Sequence, residues 1–188
     1  MNKPKIIVIL GSIREGRAGE KVAKWFMDTM KDTTLADLEL VDLKDYPMPF
    51  FTDAQTPSQR TGLHADPAVQ KWLDKVASAD GYIIITPEYN HSFPAVLKNA
   101  LDYPYKEWNN KPVGFVGYGG YASGSRAVEQ LRQVVAELQM YDVREQVLIH
   151  VVWTAFDDKG NLLNPELPVR MAKALVEKVA KVAVQMKS

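Results

Sequence analysis

The residues best suited to chemistry lie in three short loops, and the first is the segment GSIREGRAGEKVA at residues 11–23. It follows an apolar run and opens a helical pattern, so free backbone N–H groups and a helix dipole suit a phosphate there. Ser12 adds a hydroxyl, and Arg14 and Arg17 add donors for charge-assisted hydrogen bonds. Gly19, like the other glycines, lets a ligand approach the backbone closely. The Lys–Ser/Thr pair of a triphosphate-binding loop is absent. The segment therefore predicts a monophosphate site, with an ordinary turn carrying surface arginines as the alternative.

The second loop begins with Pro87, Glu88, Tyr89 and Asn90, directly after an apolar run at 81–86. Proline makes the backbone rigid, tyrosine offers an aromatic face, and asparagine offers amide donors. These features suit a flat heterocycle with carbonyl and N–H groups along its edges. A plain turn before a helix is the alternative, but it does not account for Tyr89 and Asn90.

The third loop, GYGGYASGSR, contains Tyr118, Gly119 and Gly120 and again follows an apolar run. It formally matches G-x-G-x-x-A, which by itself is weak support for a nucleotide site. We interpret it as a glycine-rich loop that closes over the edge of the same heterocycle, with Ser123 or Ser125 capping the next helix. Taken alone, the loop fits a simple glycine turn with a capping serine equally well.

Five short apolar runs alternate with five helical patterns along the chain. The runs lie at 5–10, 38–43, 81–86, 112–118 and 146–152. The helical patterns lie at 20–30, 68–79, 94–103, 125–141 and 169–186. Continuous apolar runs are typical of strands buried on both faces of a parallel sheet. Their alternation with helices predicts an α/β fold.

The order of the strands determines whether the three loops meet. We predict a flavodoxin-like three-layer sandwich, in which a five-stranded parallel sheet of order 2-1-3-4-5 has helices on both faces. Ligands of such sheets bind at the carboxyl ends of the strands, near the point where the order reverses. The three loops would then form one site, where a phosphate loop and two flat-ring loops hold flavin mononucleotide (FMN). The length predicts a single domain over residues 1–188.

The composition excludes several classes of site. The chain has no cysteine, so disulfides, thiolate nucleophiles and iron–sulfur clusters are impossible. Lysine plus arginine number 23, as do aspartate plus glutamate, and this balance predicts no nucleic-acid partner. The first apolar run is too short for a membrane span and lacks a signal-cleavage pattern. We therefore expect a cytoplasmic protein without membrane insertion.

The histidines and tryptophans suggest no further site. His64, His91 and His150 have no metal-ligand spacing, and we predict no metal site. We interpret His150, which lies in an apolar run, as a core histidine. Trp153 is interpreted in the same way as a core or interface residue.

Four segments together form a specific pattern: GSIR at 11–14, TPEYNHS at 86–92, LKNALD at 97–102 and GYGG at 117–120. In these segments the chain resembles the NAD(P)H-dependent FMN reductases of flavodoxin-like fold, a family that includes quinone, azo-dye and chromate reductases. The resemblance extends over about residues 5–152. It implies non-covalently bound FMN and NAD(P)H as co-substrate.

The resemblance also implies roles for individual residues. The matched positions are, for the phosphate, Ser12 and Arg14; for the isoalloxazine ring, Pro87, Glu88, Tyr89 and Asn90; and for the ring's other edge, Tyr118, Gly119 and Gly120. Arg17 and Gly19 depart from the family, since many members have serine and asparagine there. Arg17 then either replaces the serine hydroxyl at the phosphate or points to solvent.

The implied function is an oxidoreductase in which FMN carries the chemistry. Hydride would pass from NAD(P)H through FMN to a small acceptor (a quinone, azo compound, free flavin or metal oxyanion) in a ping-pong scheme without a catalytic side chain. A homodimer or homotetramer is expected, with Phe50, Phe51 and Tyr105 as candidates for shaping the acceptor pocket.

Two other functions are open. The first is a non-enzymatic FMN-binding electron carrier or redox-sensing interaction protein. Carriers of the flavodoxin type usually have a strongly acidic face, and the neutral charge of this chain disfavours one. The second is a flavin-free interaction domain, which would require all three loops to be coincidental.

Overall fold

The computed structural model describes residues 3–187, in which five strands alternate with five α-helices. The strands are β1 (Lys5–Leu10), β2 (Asp37–Asp42), β3 (Gly81–Pro87), β4 (Pro112–Tyr118) and β5 (Tyr141–Ile149). The helices are α1 (Gly19–Met30), α2 (Pro67–Ala77), α3 (Ala95–Asp102), α4 (Ser125–Glu137) and α5 (Glu166–Lys187). A short 3₁₀ turn at Val152–Thr154 follows β5.

The strands pair in parallel in the order β2-β1-β3-β4-β5. Helices α1 and α5 cover one face of the sheet, and α2, α3 and α4 cover the other, each over its own apolar core. Strands β3 and β4 are buried along their whole length, because they are central and covered on both faces. The predicted α/β sandwich with this strand order is confirmed.

The last strand and the helix before it differ from the prediction. Strand β5 begins at Tyr141, five residues before the predicted start, and α4 ends at Glu137. Gln139 adopts a left-handed backbone conformation with φ +56°, which stops the helix. The first half of β5 is polar because it is an edge strand, and two of the strand's polar side chains pair with the neighbouring helix. Arg132 on α4 donates to Asp142 and Gln146.

Four aromatic side chains form a row under one face of the sheet, and we call this row the aromatic row. Tyr46, Trp72, Trp108 and Tyr82 pack edge to face, with successive ring centroids 5.2, 6.2 and 4.7 Å apart. The Tyr82 hydroxyl donates to the Val76 carbonyl at 2.7 Å. The row joins four separate chain segments near the amino ends of the strands.

The long connection between β2 and α2 is held against α3. The Asn99 side chain accepts from the Phe51 N–H and donates to the Pro49 carbonyl, at 2.9 and 2.8 Å. Phe51 packs edge to face on Tyr103, whereas Phe50 is 73% exposed. The segment is therefore fixed in place while presenting an apolar side chain to solvent.

Asp80, just before β3, joins the two ends of the described chain. Its Oδ2 accepts from the Lys5 backbone N–H at 2.8 Å and lies 2.6 Å from Lys187 Nζ at the end of α5. The start of β1 and the end of α5 thus meet at one carboxylate. No helix within residues 3–187 has the length and apolar composition needed to cross a membrane.

Candidate functional site

The carboxyl ends of four strands open into one cleft of about 310 Å³. Its lining comes from the loops after β1, β3, β4 and β5. The lining residues are Arg14, Gly16, Arg17, Ala18, Pro87, Glu88, Tyr89, Tyr118, Gly119, Gly120, Val152 and Trp153. Of the predicted site residues, Ser12, Gly19 and Asn90 do not line the cleft.

A groove of about 340 Å³ lies where α1 ends and β2 begins. Two grooves of about 590 and 640 Å³ lie between α4, β5 and α5 and beside α2, respectively. Charged residues that are largely tied up in ion pairs line both, including Arg132 with Asp142 and Lys75 with Glu39. None of these grooves lies at the carboxyl ends of the central strands. The cleft is therefore the candidate site on topological grounds.

Arg14 and Arg17 have opposite surroundings although they lie three residues apart. The Arg17 side chain is buried and bonds to Asp42 at the end of β2, to the Ser12 carbonyl and to Glu20. The hydrogen bond to Asp42 raises the pKa of Arg17 further, although burial opposes this. The expectation that Arg17 points to solvent is wrong, because its side chain is buried. Its N–H donors are already engaged in hydrogen bonds to other groups of the protein.

Arg14 is exposed, with its guanidinium 5.8 Å from the centre of the Tyr89 ring. It has no ion pair within the part of the chain that the structure describes. Arg14 is thus a cation at the cleft that is not neutralised by a carboxylate.

Ser12 and Gly19 shape the first loop from beneath. Ser12 is fully buried, and its hydroxyl lies 2.8 Å from the Tyr89 hydroxyl, which links the first loop to the second. Gly19 begins α1, and a β-carbon there would lie 2.5 Å from the Tyr118 hydroxyl. Glycine at this position therefore lets the Tyr118 ring pass beneath the helix start.

Glu88 holds the second loop to the next helix. Its nearly buried carboxylate pairs with Arg126 and also accepts from the Arg126 backbone N–H in the first turn of α4. A carboxylate near a helix N-terminus is favourable because it satisfies free N–H groups and complements the helix dipole. The prediction that Ser123 or Ser125 caps α4 is wrong. Gly124 is the N-cap residue and gives no side-chain cap.

Tyr89 opens a tight hairpin whose two central residues both have left-handed backbones. Asn90 has φ +50° and His91 has φ +69°, and Tyr89 and Ser92 exchange both backbone hydrogen bonds. This is the pattern of a type I′ turn, in which asparagine is favoured. Asn90 therefore serves turn geometry, and its exposed side chain lies outside the cleft lining.

Tyr118 is 3% exposed, yet its ring contributes to the cleft wall. Within residues 3–187 its hydroxyl has no hydrogen-bond partner. The neighbouring Ser12 hydroxyl is directed to Tyr89 instead. Burial raises the pKa of Tyr118 well above its usual value, and the nearby Tyr89 adds to this rise. Arg17, Arg14 and the adjacent Ser12 hydroxyl lower the pKa and offset the rise only in part.

Trp153 is a cleft residue that the sequence interpretation missed. It is 69% exposed, so it is not a core residue, and its other interpretation, as an interface residue, stays a prediction. A β-carbon at Gly120 would lie 3.1 Å from the indole, so the ring lies against the glycine loop. Val152 N–H donates to the Gly119 carbonyl at 2.9 Å and fixes the turn. The predicted fifth run ended at residue 152, directly before Trp153, so its position just past the carboxyl end of a strand was the signal that was available.

His150 is also misassigned by the sequence interpretation. It is exposed after β5, with Nδ1 3.2 Å from the Ser123 hydroxyl, and is not a core residue. None of Phe50, Phe51 and Tyr105 lines the cleft.

Comparison with known proteins identifies the family. Residues 4–154 match the family described as NADPH-dependent FMN reductase. The chain belongs to this family. An NAD(P)H-dependent FMN reductase of Schizosaccharomyces pombe is 41% identical over 137 residues, covering 73% of this chain and 68% of its own. A probable NADPH:quinone oxidoreductase of Oryza sativa is 28% identical, covering 92% and 85%.

Solved structures support the same fold. The flavoenzyme NAD(P)H:(acceptor) oxidoreductase FerB of Paracoccus denitrificans has a TM-score of 0.75 at 21% identity, covering 97% of this chain and 98% of its own. A flavodoxin of Megasphaera elsdenii has a TM-score of 0.57 at 17% identity, covering 94% and 98%. The predicted flavodoxin-like fold is confirmed. Family membership likewise confirms the predicted oxidoreductase class and its dependence on FMN and NAD(P)H.

The residues of the cleft fit FMN. A phosphate needs donors without competing carboxylates, and the cleft offers the unpaired Arg14. Tyr118, whose buried hydroxyl is unpartnered within residues 3–187, forms part of the cleft wall. Glu88 is the acidic residue in the lining, and Arg126 neutralises it. Gly119 and Gly120 line the cleft without side chains, so a flat ring can approach the loop closely there.

Proposed function

We propose that the protein passes hydride from NAD(P)H through bound FMN to a small oxidised acceptor, in a ping-pong reaction. For a quinone, NAD(P)H, a proton and the quinone give NAD(P)⁺ and the hydroquinone. Bound FMN would supply the hydride acceptance and donation. The observation that carries the proposal is the convergence of four strand-end loops on one cleft that holds an unpaired arginine.

Different residues of the cleft would bind the phosphate and the ring of FMN. Arg14 and the backbone N–H groups at the start of α1 would hold the phosphate. Pro87 and Tyr89 would lie against the ring, while Gly119 and Gly120, which have no side chain, would let its edge approach the loop closely. No side chain of the cleft is needed as a nucleophile or general base.

The shape of the site supports the proposed ping-pong order. The described chain forms one cleft at the carboxyl ends of its central strands, and the nicotinamide and the acceptor would both have to reach the same open ring face. The nicotinamide must then leave before the acceptor enters. A quinone, an azo compound, a free flavin and a metal oxyanion all remain candidate acceptors.

The first experiment is anaerobic. Protein loaded with FMN is mixed with NADPH, and in a second series with NADH, while the visible flavin absorbance is followed. Rapid bleaching, followed by recovery when a quinone is added, is the expected result. FMN that binds but stays oxidised with both nucleotides would instead favour the electron carrier or sensor.

Initial rates test the order of the reaction. Double-reciprocal plots at several acceptor concentrations should give parallel lines. Intersecting lines would contradict the ping-pong scheme while leaving the reductase activity in place. The single domain over 1–188, the homodimer or homotetramer and the cytoplasmic location stay predictions.

A further inference from the structure

The Tyr118 hydroxyl is a buried polar group that lacks a hydrogen-bond partner among residues 3–187. An unsatisfied buried hydroxyl costs free energy, and native structures rarely keep one without a reason. By contrast, the equally buried Tyr82 hydroxyl donates to a carbonyl oxygen. The difference suggests that a ligand supplies the missing acceptor at Tyr118.

The surroundings of this hydroxyl favour an anion. It lies against Gly19, at the amino end of the twelve-residue helix α1. Arg14 and Arg17 are close enough to act on it electrostatically. Arg17 is already engaged by Asp42, so its own donors do not compete for the ligand. The hydroxyl thus lies near the unpaired Arg14 and the N–H donors at the start of α1, where a phosphate is the natural acceptor.

We propose that Tyr118 is a phosphate ligand whose hydroxyl donates a hydrogen bond to the FMN phosphate. This differs from the ring-edge role that the resemblance implies, because the side chain extends from β4 beneath the first loop. The inference rests on the proposed function. A phenol held protonated by burial can serve as a donor throughout the physiological pH range.

The test compares FMN with riboflavin, which carries the same ring without the phosphate. Dissociation constants of both are measured by fluorescence titration for the wild type and for Tyr118→Phe. The variant should bind FMN about tenfold or more weakly, because a hydrogen bond to a charged group is lost. Riboflavin affinity should stay within about twofold.

The stability of the ligand-free protein gives a second, independent readout. Tyr118→Phe removes an unsatisfied buried hydroxyl, so its melting temperature without flavin should equal or exceed that of the wild type. Tyr82→Phe is the matched control, since it removes a satisfied buried hydroxyl. It should lower the melting temperature by about 2–4 °C and leave the FMN-to-riboflavin affinity ratio unchanged.

The outcomes separate the two proposals. If Tyr118→Phe keeps the wild-type FMN-to-riboflavin ratio, the Tyr118 inference is overturned while the reductase proposal stands. The same holds if the wild type binds riboflavin as tightly as FMN. If the wild type binds neither flavin, both proposals fail together. A melting temperature well below wild type for ligand-free Tyr118→Phe would mean that the hydroxyl is structural.

Discussion

Arg14 and Arg17 show how one residue type serves two purposes within a single loop. Arg17 stabilises the loop, because its guanidinium ties the Ser12 carbonyl to Asp42 on the edge strand. Arg14 has no such partner in the described chain and lies over Tyr89. A guanidinium near a phosphate gives strong, geometrically specific hydrogen bonds. We therefore expect the two arginines to differ sharply in what their loss affects.

Replacing Arg14 by alanine tests its role in binding. Arg14→Ala should weaken FMN binding by about 1–3 kcal/mol, because a charge-assisted hydrogen bond is lost. Riboflavin affinity and the melting temperature should change little, since the side chain is exposed. Arg144→Ala removes an exposed arginine that lines a different groove, and it should leave FMN affinity intact. Unchanged FMN affinity in Arg14→Ala would remove this residue from the site.

At the scale of elements, Glu88 connects a strand end to a helix start. Its carboxylate belongs to the loop after β3 but satisfies the first turn of α4. Ser92 and Gln130 add a second link between the same loop and helix, at 2.5 Å. The Tyr89 loop is therefore held in place by α4 before any ligand binds.

Neutralising Glu88 should loosen this junction. Glu88→Gln removes the ion pair with Arg126 and the favourable charge at the helix N-terminus, so the free energy of unfolding should fall by about 1 kcal/mol. Urea unfolding of the ligand-free protein measures this change in the free energy of unfolding. Glu129→Gln, an exposed change on the same helix, should stay within about 0.5 kcal/mol of wild type. Equal effects of the two substitutions would contradict a special role for Glu88.

The elements also show what local sequence patterns reveal and what they miss. Strands β1, β3 and β4 were predictable because burial on both faces leaves continuous apolar runs. The start of β5 was not predictable, since it is polar and its polar side chains pair with Arg132, which belongs to helix α4. The Arg17–Asp42 pair joins residues 25 positions apart. Only the fold brings them together, so the loop pattern alone left the direction of Arg17 undecided.

The molecule as a whole separates its stabilising core from its binding site. The aromatic row lies near the amino ends of the strands, whereas the cleft opens at the carboxyl ends. Trp108 is fully buried at the centre of the row, and its indole N–H donates to the Leu101 carbonyl. A substitution in the aromatic row should therefore lower the stability of the fold without changing the shape of the cleft.

Trp108→Ala tests this separation. The substitution should lower the free energy of unfolding by about 3–5 kcal/mol, because it leaves a large cavity. The milder Trp108→Phe keeps a ring and should cost less. For each variant that remains folded, the FMN dissociation constant should match the wild type. A loss of affinity comparable to that of Arg14→Ala would show that core and cleft are coupled.

The meeting of Lys5 and Lys187 at Asp80 makes the path of the backbone nearly a closed ring. Joining those ends by a short linker would require little rearrangement, because one carboxylate already holds both. The ring could then be reopened at the exposed turn at 31–35 between α1 and β2, which the whole of α1 separates from the nearest cleft loop. In such a circularly permuted chain every strand would keep its neighbours, and only the order of synthesis would change.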